Sequence, residues 1–203
     1  IYNFFPLNSL GITADNHIDQ IRQKGKGVVI IDLSGTGETE SEKSKHQNFV
    51  YHNFSRSLIW LGKTVLGEWV KEIEIVTDFL KSDFKAKNIT LEGNKEAGLA
   101  CLFLGAVKGD FTTITLRDAP VSYLFDNRQN VDYYTSAIIL PGFLNWGDVS
   151  LAASLTGTDI RFINPLTMSG QVITGNKLES IEDEFESIRE KCDQHGQTFL
   201  QIQ

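Results

Sequence analysis

The 203-residue chain is poor in cysteine and histidine and carries no surplus of positive charge. Its two cysteines, Cys101 and Cys192, are far apart and form no CxxC pair or Cys/His cluster, so the spacing of a structural zinc site is missing. Both thiols read as small apolar side chains buried in helices, which leaves the redox compartment open. A net charge of -7 provides no basic patch to neutralise phosphates, which argues against nucleic acid and anionic membranes as partners. No apolar run approaches the roughly 20 residues that span a bilayer. Residues 1–10 lack the charged start and long apolar middle of a signal peptide. The chain does not begin with Met, so it is expected to be a processed product or a piece of a longer protein.

What is present is an alternation of short β-branched runs and helical patterns. Residues 28–31 (Val-Val-Ile-Ile) follow a Gly-Lys-Gly turn and read as a buried strand. Further strands are expected at 1–5, 89–91, 114–116, 137–140, 160–163 and 199–202. Runs that are apolar on both faces imply a mostly parallel sheet covered on both sides. Helices are expected at 14–23 and 64–81. A third helix carries Leu178, Ile181, Phe185, Ile188 and Cys192 on one stripe. Strands alternating with helices predict an α/β fold, a three-layer α/β/α sandwich with right-handed crossovers. No repeat or linker interrupts the chain, so residues 1–203 read as one domain. The polar stretch 35–53 is the best loop candidate.

The most informative segment is 88–107, a strand that turns at once into a small-residue helix. Its register Gly93-Asn94-Lys95-Glu96-Ala97 suits the nucleophile elbow G-x-S-x-G, with Lys95 in the serine position. Three other segments accompany it in order. Residues 28–38 run Val-Val-Ile-Ile-Asp-Leu-Ser-Gly-Thr-Gly-Glu. Residues 61–67 run Leu-Gly-Lys-Thr-Val-Leu-Gly before a helix. Residues 140–155, followed by Arg161-Phe162-Ile163-Asn164-Pro165, contain a short helix leading to a strand. Together these segments resemble the α/β-hydrolase superfamily, and most closely its acetyl-xylan-esterase-like and dienelactone-hydrolase-like branches. Ser34 stands where those esterases usually have arginine.

The resemblance implies a serine nucleophile, a histidine base, an orienting carboxylate and two backbone N–H groups for the oxyanion. This chain departs from it at each side-chain position. Lys95 replaces the nucleophile, and its neighbour Glu96 favours the protonated, non-nucleophilic ammonium. The acid is expected after the strand ending at Ile163, where the family has Asn-Pro-x-Asp. Here Asn164-Pro165-Leu166-Thr167 places Thr167 in that position. The histidine is expected on a loop after the last strand, whereas His195 precedes that strand and reads as a helix-end cation. Asp159 precedes its strand and reads as a solvated turn residue at the wrong end of the sheet. The expected domain therefore lacks the histidine loop, and it lacks the N-terminal hairpin of the full fold. Residues 6–11 take the place of the oxyanion loop.

Other constellations are weaker. Gly35-Thr36-Gly37-Glu38 has glycines but not the G-K-[ST] ending of a phosphate loop, and Glu40 breaks a dinucleotide fingerprint. Trp60, Trp69 and Trp146 read as core residues, although each would stack on a sugar if exposed. Asp148 reads as a helix N-cap, and His17, His46 and His52 as surface or loop residues. The functional expectation is an esterase-like domain without catalytic residues, in a secreted or cell-envelope protein with further domains. It would contact a carbohydrate or acyl-ester ligand and need no cofactor or metal. The alternative is an active carboxylic-ester hydrolase whose chemistry comes from other residues or from outside 1–203.

Overall fold

Strands that are apolar at consecutive positions need cover on both faces of their sheet. Leu91, Ile114, Leu116, Ile160 and Phe162 are all fully buried, and the intervening Glu92 and Thr115 are buried too. The structure, a computed structural model, describes residues 2–3, 14–39, 51–127, 129–193 and 195–202, with side chains from His17 onward. Its sheet has five strands in the order of the chain, β1 (Tyr2–Asn3), β2 (Thr90–Asn94), β3 (Thr113–Arg117), β4 (Asp159–Ile163) and β5 (Thr198–Gln201). Every pairing is parallel, so all carboxyl ends lie along one edge. That edge brings Asn94 beside Arg117 and Arg117 beside Ile163. In open parallel sheets this is the edge where ligands bind.

Among the described residues six α-helices accompany the sheet: α1 (Ala14–Gln23), α2 (His52–Trp60), α3 (Val65–Ser82), α4 (Glu96–Lys108), α5 (Val149–Leu155) and α6 (Asn176–Cys192). The central one is α4, which packs on β2 and β3 and is flanked by α3 and α5. Its small residues make that close approach possible. A Cβ on Gly105 would stand 2.2 Å from Ile114 Cδ1. Thr64 caps α3 by accepting from Gly67 N at 3.0 Å, and Asp148 caps α5 by accepting from Val149 N at 2.8 Å. The α6 stripe seats Phe185 edge-on against Phe162, with ring centroids 5.6 Å apart.

Two expected strands are absent. Residues 28–31 join no strand; Ile30 makes a single bridge and is half exposed. β-branched composition favours a strand only where a neighbour supplies a ladder. Residues 137–140 instead follow a tight turn at Ser136–Ile138, nucleated by Thr135, whose hydroxyl accepts from Ala137 N. The 1–5 run contributes β1, while the 6–11 loop and His46 lie outside the described residues. Tryptophan placement also differs from expectation. Trp69 is fully buried with its indole N–H on Ser34 O at 3.0 Å, whereas Trp60 and Trp146 are 82% and 87% exposed. Cys101 is buried, and burial pushes its thiol up to about 12; Cys192 is half-buried. Among the described residues no single helix is long and apolar enough to cross a membrane.

Candidate functional site at the β2–α4 turn

A strand can become a helix within one residue only if the two backbones nearly touch. Gly93 and Gly98 allow this. A Cβ on Gly93 would lie 2.6 Å from both Ala97 O and Gly98 N, and one on Gly98 would lie 3.0 Å from Gly93 O. The apex of the turn is Lys95, with φ 50° and ψ -125°. A side-chain-bearing residue occupies that region only under strain, of the kind stored at functional turns. Its N–H donates to Arg117 O at 2.8 Å, and its carbonyl accepts from Gly98 N at 3.0 Å, which closes the first turn of α4.

The Lys95 side chain leaves the turn toward Tyr133, with Nζ 4.9 Å from the ring centroid, a cation–π contact. Among the described residues no carboxylate forms an ion pair with it. Tyr133 in turn lies against Gly170 of the loop after β4, where a Cβ would stand 2.3 Å from the ring. The Lys95 turn and the loop containing Thr167 are thus joined through one aromatic ring.

Thr167 is buried, and its hydroxyl bonds within its loop and helps to hold Asp126. Its hydroxyl lies 3.2 Å from Ser169 Oγ and accepts from Gln171 N at 3.2 Å. Ser169 donates to Asp126 Oδ1 at 2.6 Å, and Lys177 lies 3.7 Å from the other Asp126 oxygen. The Ser169 hydroxyl holds the Asp126 carboxyl below the usual carboxylate range. A carboxylate thus stands beside the Thr167 loop, supplied by the segment after β3.

Glu96, next to the apex, is 1% exposed. Its Oε1 accepts from Thr135 N at 2.5 Å, and its Oε2 has no partner among the described residues. Burial pushes this carboxyl above the ordinary range, against its backbone hydrogen bonds and the charge of Lys95. Thr135 belongs to one wall of a cleft of about 410 Å³, lined also by Tyr123, Phe125, Val131, Ile138 and Met168. That volume is within the range of small-molecule sites.

The remaining sequence candidates fall elsewhere. Asp159 opens β4 at the amino edge of the sheet, where it accepts from Gln197 N at 3.1 Å, and His195 lies just before β5 at the same edge. Neither approaches Lys95. His17, read from sequence as an ordinary surface residue, is half-buried on α1 with Nε2 3.3 Å from Glu92, which also pairs with Arg117. Burial of α1 against a sheet carboxylate explains the difference. Ser34 is clamped to α3, its hydroxyl donating to Glu72 Oε1 at 2.5 Å and its N–H to Oε2 at 2.9 Å. The 35–38 turn is closed by Asp32, which accepts from Glu38 N at 3.1 Å, so that amide faces a carboxylate and not a phosphate. Among the described residues no three His, Cys, Asp or Glu side chains gather as a metal site. Sequence reasoning missed Tyr133 and Asp126, which carry no motif, and treated Glu96 only as a neighbour. The available signal was that Glu96 is the one acidic residue of the apolar α4 segment.

These features match solved structures closely enough to define the architecture. A protein from Bacteroides fragilis described as an acetyl xylan esterase superposes with a TM-score of 0.65 at 15% identity, over 91% of this chain and 49% of the other. A carbohydrate esterase family 15 glucuronoyl esterase from Caldicellulosiruptor kristjansonii superposes with a TM-score of 0.52 at 13% identity, over 84% of this chain and 52% of the other. The chain has an α/β-hydrolase-type fold. It spans about half the length of both of these chains. No family model and no curated protein matches the sequence.

Proposed function

We propose that residues 1–203 form one α/β-hydrolase-like domain, of the carbohydrate-esterase kind, that contacts a carbohydrate or acyl-ester ligand without hydrolysing it. The carrying observation is the elbow itself. Its strained turn is intact, yet its apex presents a lysine ammonium resting on Tyr133. Acyl transfer needs an activated nucleophile there and a carboxylate-oriented base beside it. Thr167, in the acid position by this reading, spends its hydroxyl on Ser169 and Gln171. A hydroxyl in that place supplies no charge to stabilise an imidazolium. The neighbouring cleft suits binding better than turnover. The two esterase neighbours support the ligand class, and the cleft supports its size.

The test is hydrolysis of p-nitrophenyl acetate and of an acetylated xyloside by the wild-type chain and by Lys95→Ala. Both proteins are expected to give no more than the uncatalysed rate. Robust turnover that survives Lys95→Ala and is blocked by a serine-directed fluorophosphonate would overturn the reading in favour of an active ester hydrolase.

A further inference from the structure

Three buried polar atoms near the elbow have no hydrogen-bond partner among the described residues: Asn94 Oδ1, Glu96 Oε2 and the Tyr123 hydroxyl. Two belong to the residues that flank the apex, and the third belongs to the wall of the cleft. Buried polar groups are paired in almost every native structure, so three in one region call for an explanation. The same Glu96 carboxyl ties down Thr135, which leads into the turn at Ser136–Ile138 on the cleft wall.

We propose that Glu96 is a protonation-dependent latch that fastens the Thr135 segment, and with it one wall of the cleft, to the first turn of α4. The inventory of donors and acceptors gives the reason. Ionised, Glu96 adds a second unmatched acceptor to Asn94 Oδ1 in a site sealed from water. Protonated on Oε2, it brings no charge into this buried site, while Oε1 still accepts from Thr135 N. The groups that face it do not reverse this balance. They are Lys95 on the turn and Tyr123, Tyr133 and Tyr134 on the segment after β3, with Asp118 and Asp148 acting on the same tyrosines. Of these charges Lys95 acts on Glu96 itself, and it favours ionisation together with the hydrogen bonds from Thr135. Burial is the largest influence on Glu96, and it favours the neutral acid.

Removing the Glu96 proton therefore places a charge where only water would stabilise it, and water enters by lifting the Thr135 segment. The latch holds at mildly acidic pH and loosens as pH rises through the elevated range of Glu96. The cleft wall is thereby coupled to pH whether or not the elbow is catalytic, so this inference does not depend on the proposed function.

Native-state hydrogen exchange at the Thr135 amide tests it, after correction for intrinsic base catalysis and with the Leu116 amide in β3 as a core reference. Protection of Thr135 is expected to fall about tenfold relative to Leu116 between pH 5 and pH 8. In Glu96→Gln, whose amide keeps the acceptor and cannot ionise, the ratio is expected to stay constant. A ratio independent of pH in the wild type, or an equal fall in Glu96→Gln, would overturn the latch. Should Glu96→Gln fail to fold, the infrared carbonyl band of a protonated buried carboxyl decides the matter in the wild type. Its presence at pH 6 supports the latch, and its absence sinks it.

Discussion

The turn after β2 and the loop after β4 lie at the same edge of the sheet and meet on Tyr133, but they are held by different forces. The first is fixed by backbone contact, Gly93 against Gly98, and its shape does not depend on the apex side chain. The second is fixed by side chains, with Thr167, Ser169 and Asp126 linked hydroxyl to hydroxyl to carboxylate. The contrast separates a turn whose shape comes from backbone contact from a loop whose shape comes from its polar side chains. A turn built from glycines tolerates any apex residue that will accept the strain. A loop whose polar side chains bond one another depends on each of them.

Three substitutions sharpen or break that contrast. The largest effect is expected from Gly93→Ala, because the added carbon meets backbone atoms at 2.6 Å that cannot move without separating α4 from β2. A loss of about 3 kcal/mol in urea unfolding is expected, at the upper end for overpacking. A loss below about 1 kcal/mol would show that the turn is not held by backbone contact. Thr167→Val keeps the shape but removes the acceptor of Gln171 N and one of the two partners of Ser169 Oγ, and is expected to cost about 1.5 kcal/mol. The same measurement checks it, and no change would detach Thr167 from the loop's support. Lys95→Gly is expected to have the smallest effect and the opposite sign. Relief of the strain at φ 50°, less the added freedom of the unfolded chain and the lost ring contact, leaves a gain of about 1 kcal/mol. A thermal midpoint lower than that of the wild type would mean that Lys95 itself supports the turn.

Stability should also depend on pH through Glu96. Its carboxyl is raised in the folded state above the 4.5 of an ordinary glutamate, so the unfolded chain loses this proton first. Stability therefore falls as pH rises from that value toward the folded-state range, and levels off beyond it. The Glu96→Gln protein used to test the latch should lack this component of the slope.

Much of the layout was legible because it depends on local chemistry. The elbow could be read from Gly93 and the small residues that follow. The spans of α1, α3 and α6, the Asp148 cap and the parallel sheet came from periodicity, capping and runs apolar on both faces. The 28–31 and 137–140 runs have strand composition but form no strand among the described residues, and the second is captured by the Thr135 hydroxyl. Burial of the tryptophans could not be read from hydrophobicity either, since only Trp69 lies at the α3 interface with the rest of the core.

By itself the sequence determined the strand-to-helix turn and the residue at its apex. Turn geometry and side-chain identity are local, so a linear reading reaches them. Only the tertiary structure decided that Lys95 rests on Tyr133, that Asp126 comes to the Thr167 loop, and that Glu96 is sealed beneath the Thr135 segment. Those contacts join residues 38 to 43 positions apart (133 − 95 = 38, 135 − 96 = 39, 169 − 126 = 43). They exist because parallel crossovers return every strand's carboxyl end to one edge.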